Sequence, residues 1–277
     1  MVDGRIQMSK EGEKPIGIFD SGIGGLTVVK ELLRQLPGEN VIYFGDTARV
    51  PYGIKSERTV IKFALQNSRF LARFRIKLLI VACNTASAVS LDALRQEFSF
   101  PVMGVIEPGV RAALQLTENR RIGIIGTEAT IASRAYVKLI EKIDPSVRVF
   151  SRVCSLLVPL VEEGWLREEI TTAVVRKYLG SLKEESVDSL ILGCTHYPLL
   201  KPLIQREMGE VVLIDSAKEV IAEAKRILRS RGMLGAGNRN PYRRYYVSDT
   251  PTRFVRIGRG FLGEALAPVE QIEIEKY

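Results

Sequence analysis

The stretch SLILGCTHYPLL, residues 189–200, runs through a few apolar positions to Cys194 and Thr195, then to His196, the only histidine of the 277-residue chain, before a helix start. A short, continuously apolar run of this kind reads as a strand buried on both faces, the mark of a parallel sheet covered by helices. A second stretch follows the same plan. In KLLIVACNTASA, residues 77–88, an equally apolar run ends at Cys83, followed by Asn84 and Thr85. Further runs of the same character lie at 15–20, 40–46, 101–106, 121–126, 147–153 and 210–215. Helical patterns separate them. Val28, Val29, Leu32, Leu33 and Leu36 share one face of a helix that Pro37-Gly38 stops, and a longer helix over 56–74 buries Val60, Ile61, Ala64, Phe70 and Leu71. Alternation of strand and helix predicts an α/β fold built on mainly parallel sheets.

The chain also carries a faint internal repeat. IGIFDSGIGGLTV (16–28) and IGIIGTEATIASR (122–134) are both strand, polar turn and helix start; LLIVACNTAS and LILGCTHYPLL are both strand, cysteine, threonine and helix start. Two similar α/β domains are therefore expected, residues 1–107 with 217–277 forming the first and 108–216 the second. The EVVLID set (210–215) and the final helices are expected to return to the first, with crossovers near Pro108 and Ser216. Ligands of open α/β sheets bind beyond the carboxyl ends of the strands. Two such domains facing each other would bring Cys83 and Cys194 to one cleft.

Composition narrows the class. With 46% apolar residues the chain can fill substantial cores. Three cysteines do not make a disulfide framework, so reduced thiols and a cytoplasmic location are expected. Residues 1–14 have no apolar run and read as a mobile extension, and no stretch approaches the roughly 20 apolar residues of a membrane span. The net charge of +8 is mostly dispersed. Its densest set, Arg239, Arg243 and Arg244, reads as a solvated surface, and without a groove-reading motif nucleic acid is not a favoured partner.

Two cysteines across a cleft suit three kinds of chemistry. Dithiol redox work favours Cys-x-x-Cys, but these cysteines are 111 positions apart. Cys83, Cys154, Cys194 and His196 would make a formal Cys₃His set, yet no pair has the short spacing of a zinc knuckle, which argues against a metal. Proton transfer at carbon needs a thiolate on one face and a thiol on the other. It also explains the neighbours: Asp20 ends the first strand, at the edge where Cys83 lies, and His196 is tied to Cys194 by sequence. Each has a plainer reading. A buried cysteine is common core filling, the reading adopted for Cys154. Asp20 could cap a turn, His196 could hydrogen-bond within its loop, and Gly22, Gly24 and Gly25 allow a tight turn without the Gly-Lys-Ser/Thr of a phosphate loop.

FDSGIGGLTV, GDTARVPYG, VACNTASA, VPLVEEG and LGCTHYPLL, in this order and at these intervals, resemble the cofactor-independent aspartate/glutamate racemase family from about Ile16 to the YYVSDTPTRF and FLG stretches. The resemblance implies interconversion of L- and D-glutamate, with aspartate as the alternative substrate, supply of D-glutamate for peptidoglycan, no cofactor, and a homodimer. It implies that Cys83 takes the proton from D-glutamate and Cys194 from L-glutamate. Asp20 would assist Cys83, while His196 and Glu162, with Glu163 as the adjacent alternative, would assist Cys194. Ser21, Pro51, Tyr52, Gly53, Asn84, Thr85, Thr127 and Thr195 would hold the substrate. A rival of another class is a non-catalytic protein that binds amino acids or associates with nucleic acid, for which Cys83→Ala would be silent.

Overall fold

The computed structural model describes residues 11–235, 240–266 and 268–277. Residues 1–10 of the expected extension, and Arg239 of the basic set, lie outside the described residues. Residues 11–14 are tied down rather than loose: Lys77 Nζ donates to the Gly12 carbonyl at 2.7 Å and Asn40 Nδ2 to the Glu13 carbonyl at 2.7 Å.

Ten strands form two sheets among the described residues. They are β1 (Ile16–Asp20), β2 (Val41–Gly45), β3 (Leu78–Val81), β4 (Val102–Gly104), β5 (Arg121–Gly126), β6 (Arg148–Val153), β7 (Ser189–Gly193), β8 (Val212–Asp215), β9 (Arg243–Val247) and β10 (Val269–Gln271). The first sheet runs β10-β9-β2-β1-β3-β4, the second β6-β5-β7-β8, and every pairing is parallel. Strands β1, β2, β3, β4 and β7 are buried throughout, as their unbroken apolar runs require. Strand β6 departs from that pattern. It is an edge, largely exposed, and its Arg148 and Arg152 are the charges that discourage a further strand from pairing there.

One strand is assigned differently from the sequence reading. The EVVLID set does not return to the first sheet; as β8 it pairs with β7, Leu190 opposite Leu213 and Ile191 opposite Ile214. Apolarity alone cannot say which sheet a strand joins. The chain returns through the helix Ser216–Ser230, capped by Asp215, whose Oδ1 accepts the Ala217 N–H at 3.0 Å. It then adds β9 and β10 to the first sheet, where the sequence pattern predicts a solvated basic surface at Arg243 and Arg244 and final helices but no strand.

The predicted helices form as amphipathic elements. Ser56 caps the helix Glu57–Ala72 by accepting the Thr59 N–H, and Val60, Ala64, Phe70 and Leu71 are buried while Ile61 is half-buried. The helix Leu26–Gln35 buries Leu26, Val28, Val29 and Leu32. A continuous core links these residues to Val220 and Leu228, to Phe254 and Phe261 of the helix Pro251–Leu262, and to Leu192, Tyr197 and Leu203 beside the second sheet. The two sheets are therefore joined by shared apolar packing. Within each, the strands that carry the candidate residues are neighbours: Phe19 of β1 pairs with Val81 of β3, and Gly126 of β5 with Gly193 of β7. Asp20 and Cys83 thus leave adjacent strand ends on one sheet, Thr127 and Cys194 on the other.

Candidate active site

Cys83 stands at the start of the helix Asn84–Val89, where its Sγ accepts the Ala86 N–H at 3.5 Å. Cys194 follows β7, where the chain turns through the short 3-10 segment Tyr197–Leu200. Both thiols are buried, and both line one cavity of about 320 Å³, at the small end of the roughly 300–1,000 Å³ typical of ligand pockets. Ser21, Pro51, Tyr52, Gly53, Asn84 and Thr85 line it from the first sheet's side, and Thr127, Glu162, Thr195 and His196 from the second's. Asp20 does not line it. Fully buried, it sits one layer behind, its Oδ2 accepting the Gly22 N–H at 3.0 Å and its Oδ1 facing Thr195 Oγ1 at 3.5 Å. Glu163, the alternative to Glu162, is exposed on the surface.

Each thiol has different company. Burial, with the Asp20 carboxylate adding to it, pushes the Cys83 thiol up to about 12, against the pull of the Ala86 N–H and the Ser21 hydroxyl. Cys83 is thereby kept as a protonated acid. Asp20 itself is raised by burial, tempered by the field of His196. On the other wall, His196 Nδ1 lies 3.8 Å from Cys194 Sγ and Nε2 lies 3.0 Å from Glu162 Oε1. Burial alone would lower the imidazolium, but hydrogen bonds to Cys194 and Glu162 outweigh it and hold His196 up at about 10. Glu162, raised by burial, is brought below the usual glutamate range by its bond to His196 and by nearby Arg253. At neutral pH the second wall therefore presents an imidazolium, the partner a thiolate at Cys194 would need.

The polar groups around the thiols are held by their own bonds. Asn84 Nδ2 donates to the Tyr136 hydroxyl at 2.8 Å, which leaves Asn84 Oδ1 buried without a protein partner. The Thr85, Thr127 and Thr130 hydroxyls lie 3.0 Å from one another, bridging the two sides. Tyr52 is fixed from behind by a hydroxyl bond to Asp46, while Arg49 donates from Nε to Asp46 and from the guanidinium to Gln66 and Asn67. Gly24 explains one glycine of DSGIGG: a Cβ there would lie 2.2 Å from Thr195 Oγ1 and 2.6 Å from His196 Nδ1, so only glycine admits the second wall this close.

Several contributors were not legible beforehand. Val50, Ile54, Val158 and Pro159 supply apolar walls. Asp46 and Arg49 sit inside a quoted motif, and an acid and a base three apart in a turn were the signal that could have marked them. Arg253 NH2 bonds Glu162 Oε2 at 3.1 Å across 91 positions, a pairing with no local signal. Among the described residues no helix is long and apolar enough to cross a membrane.

A small pocket at facing strand ends, walled by two buried thiols with separate acid–base partners, defines an α/β enzyme equipped for proton transfer on a small polar molecule. The chain belongs to the Asp/Glu/hydantoin racemase family, whose model matches residues 16–224, and it is accordingly a racemase, an isomerase. It is 53% identical over 263 residues to the glutamate racemase of Geobacter metallireducens, covering 95% of this chain and 97% of that one. Among solved structures it resembles a glutamate racemase isoform of Bacillus anthracis, with a TM-score of 0.91, 42% identity and coverage of 94% and 98%. The glutamate racemase of Francisella tularensis, solved in complex with D-glutamate, matches with a TM-score of 0.91 and 40% identity over 96% of this chain and 100% of that one.

Proposed function

We propose that the protein interconverts L- and D-glutamate by two-base proton transfer at Cα, with Cys194 and Cys83 on opposite faces of the substrate. With L-glutamate, the Cys194 thiolate takes the Cα proton and becomes a thiol. The Cα–H electron pair stays on the substrate as a carbanion delocalised into its carboxylate, and the Cys83 thiol then delivers its proton to the other face and becomes a thiolate. With D-glutamate the roles exchange. The observation that carries this reading is that both thiols line one small cavity, each with its own titratable helper. A Cys83 held protonated is the acid that the L-to-D direction requires, and the His196 ring lies beside the Cys194 sulfur, Nδ1 at 3.8 Å, where it can exchange a proton with it.

The low acidity of the Cα–H is the chemical obstacle, and fixed donors in a water-poor cleft lower it. Asn84 Oδ1, buried and free, suits the substrate ammonium, while the hydroxyls of Ser21, Thr85, Thr127 and Thr195 and the backbone around them suit its carboxylates. The names of the relatives favour glutamate over aspartate. The two sheets act as two lobes, residues 1–107 with 217–277 and residues 108–216, that close over the substrate. No cofactor is required. Peptidoglycan supply and a homodimer rest on the family resemblance, and a cytoplasmic location on the three cysteines that make no disulfide framework.

The test is racemisation of L-glutamate and of L-aspartate followed by circular dichroism on purified protein without added cofactor. Cys83→Ala and Cys194→Ala should each abolish turnover of glutamate, and a single turnover in deuterated water should label mainly the product enantiomer. Equal early label in substrate and product, or an active Cys83→Ala, would refute two-base transfer.

A further inference from the structure

Glu162 stands in the wall between two cavities. One holds the thiols; the other, of about 120 Å³, is bounded by Gly22, Thr47, Asp249, Arg253 and Phe254 and shares Val50 and Glu162 with the first. The two oxygens of the Glu162 carboxylate face opposite ways across this wall. Oε1 accepts from His196 Nε2 at 3.0 Å, and Oε2 accepts from Arg253 NH2 at 3.1 Å. Glu162 ends the helix Leu157–Glu162 beside the second sheet, whereas Arg253 is in the first turn of the helix Pro251–Leu262, which packs with the first. The same helix supplies Phe261, whose ring meets the His196 imidazole nearly edge-on at 5.3 Å.

An isolated exposed ion pair contributes little, because solvent screens it and two long side chains must be ordered. Arg253 is indeed mostly exposed at its side chain, 62%, but Glu162 is only 25% exposed and its other oxygen is already engaged. A carboxylate anchored at one oxygen can still swing about its terminal torsion, and one anchored at both cannot. The imidazole is then fixed at Nε2 by Glu162 and on its ring by Phe261, which keeps Nδ1 directed at Cys194.

We propose that Arg253 is a positioning residue for proton transfer at Cys194: by bridging from the first sheet's last helix to Glu162, it completes the His196–Glu162 relay when the two sides of the cleft are together. Arg253 lines the neighbouring cavity and not the one that holds the thiols, so its influence passes through Glu162. The inference rests on the reading that His196 and Glu162 serve Cys194.

The experiment compares the intact enzyme with Arg253→Gln, Glu162→Gln and the double variant, measuring kcat and KM for both glutamate enantiomers. The ring resonances of the single histidine are followed by NMR in nitrogen-15 histidine-labelled protein. Arg253→Gln should lower kcat by about two- to fivefold, the scale of an exposed charge pair, leave KM within about twofold of wild type, and shift the His196 ring resonances. In the Glu162→Gln background the same substitution should change neither kcat nor the ring resonances. If Arg253→Gln matches wild type in kcat and resonances while Glu162→Gln is impaired, the inference fails and the relay stands. An equal further loss in the double variant also overturns it, since Arg253 would then act by another route. If Glu162→Gln itself matches wild type, the relay reading fails and takes the inference with it.

Discussion

Replacing Glu162 by Gln tests the electrostatics of the site most directly, because His196 is the only histidine in the chain and its ring can be observed without assignment. The substitution keeps an oxygen that can accept from Nε2 and removes the negative charge. In the intact site His196 sits at about 10 against an ordinary 6.5, a gap that corresponds to on the order of 5 kcal/mol favouring the imidazolium. Burial works against that preference, so hydrogen bonds and charge at Cys194 and Glu162 must supply all of it. Losing one opposite charge at hydrogen-bond distance should lower the midpoint by about one to three pKa units. The sign has a consequence for stability. Between about 6.5 and 10 the folded protein keeps a proton that the unfolded chain has lost, so this contribution is complete below 6.5 and fades as pH rises through 10. In Glu162→Gln the fading still begins near 6.5, where the unfolded chain loses its proton, but should be complete at a lower pH. Racemisation at neutral pH should fall by about 10- to 100-fold, part of what a positioned proton-transfer group contributes. The assay is a carbon–proton NMR titration of labelled histidine from pH 5.5 to 11, run beside circular-dichroism kinetics. A wild-type midpoint near 6.5, or one that Glu162→Gln leaves unmoved, would refute the reasoning.

Two further outcomes follow from the packing. Gly24→Ala should cost about 1–3 kcal/mol of stability and most of the activity, since its methyl would meet Thr195 Oγ1 and His196 Nδ1 well inside contact distance; a variant with wild-type melting and wild-type kcat would show that the two walls are looser than described. Lys77→Met should destabilise by about 3–5 kcal/mol, because the fully buried ammonium satisfies Glu39 and the Gly12 and Met233 carbonyls, and its loss leaves a buried carboxylate unpaired. Lys77 precedes β3, at the opposite end of that strand from Cys83, so kcat measured well below the melting transition should be unchanged, and a fall in kcat without a fall in melting temperature would contradict this placement.

Most of the first eight strands were readable as apolar runs because they are buried in a parallel sheet, where burial leaves no polar alternation to confuse the signal. The exposed β6 was still found from its apolar positions, but its exposure was not. Strands β9 and β10 escaped because RRYYV and VEQ carry charge, and only the pairing of β9 with β2 and of β10 with β9 makes them strands. The side of the cleft to which EVVLID belongs was misjudged for the same reason: a buried strand advertises that it is buried and not its neighbour. Around the site, Cys83, Asn84, Thr85, Cys194, Thr195 and His196 were legible because they follow their strands directly in the chain. Arg253 and the Asp46–Arg49–Asn67 support of Tyr52 were not.

The sequence by itself determined the parallel α/β class, the strand ends where chemistry is placed, and the residue types available there, since these depend on local periodicity and on order along the chain. Only the tertiary structure decided which carboxylate meets His196, which arginine holds that carboxylate, and that Asp20 lies behind the cavity rather than in its wall. Those pairings join residues 34 to 175 positions apart, and no local pattern encodes them. They are settled by how two sheets pack through a shared core, where a few ångströms of backbone placement separate an ion pair from two solvated charges.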